Sequence, residues 1–519
     1  CNKQKITNNI NYTVVNEKAI EESLNPIRPG CPPSNIPFWN KFSKQFLYAP
    51  AFDVSYMIKD KAIKYKFVAT GSDNLEYTFT SKHSYDALSP IWVKLPIGFV
   101  SLKIYGLDRL DNIVEESNCI NFYKSAPFHG PYHTRVSDYG ESAKKALEYV
   151  FHQSHIQNWL SDCTPDTIAY ELYCYPSKII GAVIESMLEY SKISSINHHS
   201  ALKIAKNAAK YLINISEPQG SPLEFFPPTY LGRKRTAKLY HDQFMTIYPA
   251  HTALIYLDLF DITEDYFYKD AALKIAATYK KLQESSGTWK LKLWADGSPV
   301  VDNDCIPLEI IKLFDRLEFQ YNIKEYSKAR DRAYTWIINN PLRTYNWSAQ
   351  FEDIEPVEPY KNLSKDEAAA FATYLFEKRD NQHEKFIQIA DELLRFCEDQ
   401  FIIWENPMPR SNYNVNEWIT PCVLEQYYCY EPISASAGIM MDSYLAGYKA
   451  TKNKMYWVKM IELANTVTVT QHQDTGRYPT YWQLNERQKE DAGWIDWLNC
   501  TSYCVKVMLK ISDFIKTNK

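Results

Sequence analysis

Two short stretches hold the residue types that move protons. Tyr240-His241-Asp242 stand together in the run YHDQ, and Glu352-Asp353 lie between aromatic residues in WSAQFEDIE. Two carboxyl groups that converge across a bond can divide the work of proton donor and nucleophile or base, the arrangement that hydrolyses a glycoside. Asp242, Glu352 and Asp353 are the candidates for it, with Asp491 as a further carboxyl. A second scheme is that of a polysaccharide lyase or uronyl epimerase. It needs a Tyr or His to move a proton and a cation to neutralise the neighbouring carboxylate. Tyr240, His241, His251, Tyr478 and the arginines Arg343, Arg410 and Arg477 carry those groups. The 240–242 cluster serves either scheme, so it marks a site without choosing its chemistry. Each carboxyl taken singly also fits a helix cap or a surface charge.

Composition limits the alternatives. The 519 residues carry 58 Lys+Arg against 62 Asp+Glu, a net charge of −4 with both signs dispersed, so no basic block invites nucleic acid. Glycine is scarce, 15 in all, and neither GxGxxG nor GxxxxGK[ST] occurs, which removes the glycine-rich phosphate loops. No window is apolar enough to predict a transmembrane helix. Of eleven Cys, ten follow Cys1 without a CxxC pair, so buried thiols are expected, with no metal site and no cofactor. Asp296, Asp302 and Asp304 offer oxygen ligands but read first as turn residues.

The elements that must position these groups change character near residue 130. From about Phe46 to Tyr123 the apolar residues alternate, as in Tyr65-Phe67-Ala69 and Ile91-Val93-Leu95, which predicts a small β-sandwich over 46–125. The stretch PIGFVSLKIYGLDRLDNIVEESN resembles the end of an immunoglobulin- or fibronectin-like module. From 137 to 519 the period is helical. It predicts segments near 138–159, 176–192, 198–215, 248–261, 264–283, 307–320, 323–339, 364–378, 381–399, 433–450, 453–471 and 494–516. SKDE at 364–367 has the spacing of a capping box. Short and long connections alternate, so the long ones gather at one end of a set of helical hairpins.

Twelve helices with that alternation resemble an (α/α)6 toroid of the six-hairpin glycosidase-like superfamily. The fold class is therefore expected to be mainly α, a toroid preceded by the β-sandwich. The resemblance implies a glycan-processing enzyme, first a glycoside hydrolase acting on a poly- or oligosaccharide at the long-loop end. A lyase, a uronyl epimerase or a non-catalytic glycan-binding protein are the alternatives. Sugars are held by aromatic faces and planar polar groups. Trp289, Trp294, Trp347, Trp482 and Trp494 fall in the long loops with Arg343, Arg410, Arg477 and Tyr478, and form the expected binding rim. The start Cys1-Asn2-Lys3-Gln4-Lys5 resembles a mature bacterial lipoprotein of Bacteroidetes type. It implies lipidation of Cys1, a polar tether over 1–45, and an outer-membrane location facing the periplasm or the cell surface.

Overall fold

A computed structural model describes residues 10–28, 40–55, 58, 61–353, 358–378, 383–409, 417–483 and 495–518. Cys1, Arg410, Asp491 and Trp494 lie outside the described residues. The expected tether contains a helix, α1 (Tyr12–Ser23), whose Val15 and Ala19 form a buried stripe four residues apart. Tyr12 donates its hydroxyl to Glu462, and Asn16 Nδ2 donates to the Gly130 carbonyl at 2.8 Å. Tertiary contacts thus order a segment whose own composition is too polar to announce a helix.

The β region has strands β1 (Gln45–Phe46), β2 (Ala51–Asp53), β3 (Lys64–Thr70), β4 (Glu76–Ser81), β5 (Tyr85–Ala87), β6 (Gly98–Leu107), β7 (Ile113–Glu116) and β8 (Ile120–Lys124). One sheet runs β1-β8-β6-β3-β4 with β7 added to β6; β2 and β5 form a separate ribbon. Alternation decides the faces. Phe67 opposes Phe79 on one side and Ile104 on the other, and Val100, Leu102, Ile104 and Phe122 are buried. The ribbon covers that face through Phe52, whose ring stacks on Phe122 at 6.0 Å.

A short α2 (Ser89–Trp92) lies between β5 and β6, and after β8 the rest is mainly helical. The helices are α3 (Tyr139–Phe151), α4 (Ser154–Gln157), α5 (Pro176–Ile193), α6 (His198–Asn214), α7 (Tyr248–Thr263), α8 (Tyr266–Leu282), α9 (Leu308–Phe319) and α10 (Ser327–Asn339). They continue with α11 (Pro341–Thr344), α12 (Asp366–Glu377), α13 (His383–Phe401), α14 (Ser434–Thr451), α15 (Lys454–Thr470) and α16 (Leu498–Thr517). Apart from the one-turn helices α4 and α11, each coincides with a segment that periodicity predicts, to within a few residues at most ends.

Their packing follows a simple order. α5 packs on α7, α7 on α9, α9 on α12, α12 on α14, α14 on α16, and α16 back on α5. Each of these inner helices also pairs with an outer one: α5 with α6, α7 with α8, α9 with α10, α12 with α13, α14 with α15, and α16 with α3. Short connections (194–197, 264–265, 320–326, 378–382, 452–453) follow the inner helices, and every long connection leads into an inner helix start. The two tightest turns share one construction. Glu264 and Lys452 adopt left-handed conformations that end α7 and α14, and the next residues, Asp265 and Asn453, cap α8 and α15.

The expected capping box at 364–367 does not form. Ser364 Oγ accepts from the Asp366 amide at 3.3 Å, but the Ser364 amide is already bonded to the Trp347 carbonyl at 3.0 Å. Glu367 therefore has no donor to reach back to, and its side chain turns inward.

Candidate functional site

The six inner helices all begin at one place, and between their first turns lies a cavity of about 340 Å³. Ser177 and Lys178 of α5, Tyr248 and His251 of α7, Glu309 of α9, Asp366 and Glu367 of α12, Ser436 of α14 and Asn499 of α16 line it. The long connections add Phe351, Glu352 and Asp353, then Glu425 and Cys429, then Tyr481 and Trp497. Helix starts carry positive partial charge and unpaired amides, so the convergence favours carboxylates in its walls.

Glu352 is the best-anchored of these. Lys178 Nζ donates to its two oxygens at 2.8 and 2.9 Å, the Tyr248 hydroxyl donates to one of them, and the Tyr230 hydroxyl donates to its backbone carbonyl. Burial alone would raise the pKa of a carboxyl that is 2 % exposed, but Lys178 and the Tyr248 hydroxyl hold it below the usual range. The Lys178 ammonium also sits 4.8 Å from the Trp497 ring centre, and that ring stacks on Tyr175 at 5.5 Å.

Asp353, the next residue, is solvent-facing but sunk within the cavity mouth. Burial of its surroundings and the charge of Glu352 raise its pKa above the ordinary aspartate value. Glu367 is pushed up to about 8 by burial and by the charges of Glu309 and Asp366, and burial raises Glu425 as well. The cavity therefore offers protonated and ionised carboxyls side by side near neutral pH.

Deeper in, charges alternate across four inner helices. Lys506 Nζ lies 2.6 Å from Glu185 Oε1, His251 Nε2 lies 3.5 Å from Glu185 Oε2, His251 Nδ1 lies 3.6 Å from Glu309 Oε2, and Lys312 Nζ lies 2.7 Å from Glu309 Oε1. Burial would drive the proton off His251, but Glu185 and Glu309 hold it on up to about 10. Glu185 stays ionised down to about 2, because Lys506 and His251 outweigh its burial.

Of the residues singled out in the sequence, His251, Glu352 and Asp353 line the cavity. The 240–242 cluster does not. His241 Nδ1 lies 2.9 Å from Asp242 Oδ2 with both side chains about two-thirds exposed (66% and 67%), and Asp242 has φ of 61°. Its carbonyl accepts from the Ala295 amide at 2.9 Å, which fastens this loop to strand β10 (Lys292–Trp294), itself paired with β9 (Gln243–Met245). Tyr240 stands outside the cavity, its ring 5.4 Å from that of Tyr230 and 3.9 Å from Lys292 Nζ.

The expected aromatic rim is mostly interior packing. Trp289, Trp347 and Trp482 are buried away from the cavity, and Trp289 Nε1 donates to the Tyr279 carbonyl at 2.9 Å. Long connections must bury their own apolar residues, and these Trp do so. Trp294 is 39% exposed beside the 240–242 cluster. Arg343 is exposed on α11. Tyr478 is buried against Ser142, and Arg477 binds Asp496 at 2.7 Å in a separate hollow with His155 and Tyr170. The Lys290 ammonium occupies the space between Asp302 and Asp304, at 2.7 and 3.0 Å, where a cation would have to sit. Among the described residues no cluster of His, Cys, Asp or Glu has metal-binding geometry.

Sequence reasoning missed Lys178, Tyr248, Glu309, Glu367 and Trp497 as cavity residues. Their common signal is position: each lies at or within the first turn of an inner helix.

No known protein family matches the sequence, and no curated protein does. Among solved structures, the chain is similar to a family 76 glycoside hydrolase from a bovine Bacteroides thetaiotaomicron strain. The two are 10% identical over 88% of this chain and 94% of that one, with a TM-score of 0.47. It is also similar to a GH76 α-mannanase of Bacteroides thetaiotaomicron, at 13% identity over 73% and 97% with a TM-score of 0.48. An unsaturated glucuronyl hydrolase specific for heparin matches at 10% identity over 73% and 97%, with a TM-score of 0.46.

Proposed function

We propose that the helical region is an (α/α)6 toroid and that its cavity is the active site of a glycoside hydrolase acting on a poly- or oligosaccharide. One observation carries this: a single aromatic-lined cavity holds carboxyls driven to opposite protonation states, which is what glycoside hydrolysis asks of its donor and its base or nucleophile. Asp353 is the proton donor, because it faces solvent in the cavity and retains its proton above the ordinary aspartate range. Glu352 adjoins Asp353 in the chain and its charge is one of the causes that raise the Asp353 pKa, so Glu352, fixed by Lys178 and Tyr248, positions the donor, and the ionised role falls to a carboxylate across the cavity. Glu309, held well below the usual range by Lys312 and His251 against its own burial, fits that role.

The lyase or epimerase scheme finds less support. It needs an unprotonated Tyr or His at the substrate, whereas His251 is a cation up to about 10 and burial holds the Tyr248 phenol well above its ordinary value. The test is a panel of polysaccharides scored for new reducing ends and for the ultraviolet absorbance of unsaturated products. Reducing ends alone, lost in Asp353→Asn, support hydrolysis; unsaturated products overturn it.

A further inference from the structure

The cavity's shape and charge narrow the substrate. Every inner helix contributes to its wall, and the connections at 350–353, 425–429 and 480–481 stand above those helix starts. A groove that lets a polymer pass through needs two open ends, and this wall is continuous around the ring. From Ser177 to Glu185, both lining residues of α5, the helix advances about 12 Å. Glu185 there meets His251 and Glu309 from the starts of the neighbouring helices, and this chain, tied outward to Lys506 and Lys312, spans four of the inner helices. A blind pocket of about 340 Å³ has room for one or two sugar rings and no exit for a third. Its ionisable lining is one-sided: among the described residues seven carboxyl groups, of which Glu367 keeps its proton up to about 8, line it against two cations, Lys178 and His251, and both cations are already paired with carboxylates. A sugar acid would bring a further carboxylate with no free cation among the described residues to meet it.

We infer that the pocket takes the terminal residue or two of an uncharged glycan chain, so that the enzyme removes sugars from chain ends and discriminates against uronates. This rests on the hydrolase reading for its turnover and on the pocket alone for its binding, and the experiment separates the two. Asp353→Asn protein is titrated with neutral gluco-, manno-, xylo- and galacto-oligosaccharides of one to six units and with an oligogalacturonate ladder, by calorimetry. The expected result is an affinity that rises at least about tenfold from one unit to two and changes less than about twofold beyond, with oligogalacturonates at least about tenfold weaker. Ile439→Trp, which fills the space between mouth and floor, should weaken the best short ligand at least about tenfold. Wild-type protein should release only mono- or disaccharide from the matching polymer while its viscosity holds.

Affinity that keeps climbing to six units, an early series of mid-length products, tightest binding of oligogalacturonates, or indifference to Ile439→Trp would each overturn the inference. Short-chain binding with that length dependence but no reducing ends from wild type overturns the hydrolase reading and leaves the pocket assignment standing. Silence of every ladder overturns both.

Discussion

The two ends of the helical ring are built differently. At the short-connection end, α8 and α15 start on Asp265 and Asn453, whose side chains accept from the amides two residues on, at 3.0 Å each. At the other end none of the six inner helices has a capping bond from its N-cap residue: Tyr175, Ile247, Pro307, Lys365, Ile433 and Trp497 occupy those positions. Some first-turn amides there find loop carbonyls instead, as Ser177 does with Pro228 and Ser434 with Thr480. A missing cap costs about 1 kcal/mol. Six omissions on one rim leave donors and positive helix ends facing a common space, and carboxyls fill it. N-cap side chains thus bond the first turns of three outer helices, α3, α8 and α15, though not of α6 or α10, and of no inner helix, where charges gather instead.

The largest break in that contrast comes from the cavity. Asp353→Asn should lower kcat on the order of 10²–10⁴-fold with an unchanged melting temperature, because it removes a proton donor that faces solvent. Loss of folding with the activity would sink the assignment. Next comes Lys178→Met, which strands the Glu352 carboxylate in a nearly dry site and should cost about 3–5 kcal/mol in denaturant unfolding. Adding Glu352→Gln should recover most of it, and failure to recover would show that Lys178 contributes by packing.

Titration sharpens the contrast further. Glu367 has a folded-state pKa of about 8 against 4.5 unfolded, so its contribution to stability is fully present below pH 4.5 and is lost as pH rises through 8. Glu367→Gln should therefore gain stability relative to wild type as pH rises across that window, measured by the urea midpoint. His251 behaves the same way higher up. Its pKa rises from 6.5 to about 10, so its contribution is complete below 6.5 and disappears as pH passes 10. At the opposite end, Asp265→Ala should cost about 1 kcal/mol and leave kcat untouched.

Periodicity carried most of the helices because each inner and outer helix buries a regular stripe, and the alternation of connection lengths carried their common rim. The site was harder to read. Glu352 and Asp353 stood out because a carboxyl pair among aromatics is unusual, yet Glu367 looked like half of a capping box. Only the tertiary bond from the Ser364 amide to the Trp347 carbonyl frees it. Trp497 and Tyr248 carry no signal beyond their place at a helix start, and a helix start looks the same whether it faces solvent or a shared cavity. The Trp residues misled for the opposite reason: long loops need buried staples, and composition does not say which face of an indole stays open.

The smallest effect is expected where the sequence looked most catalytic. His241 and Asp242 are about two-thirds exposed (66% and 67%) and bond mainly to each other, and the loop is held by the Asp242 carbonyl, which any residue supplies. His241→Ala removes an exposed ring and should change stability by no more than about 0.5 kcal/mol and kcat/KM by less than about threefold. Asp242→Ala adds only the strain of a left-handed alanine at φ 61°, about 1 kcal/mol, again without loss of turnover. A hundredfold loss of activity in either variant would mean that substrate reaches past Tyr230, which backs Glu352, to this surface, and that the division between a charged cavity and its packed surroundings has been drawn too far in.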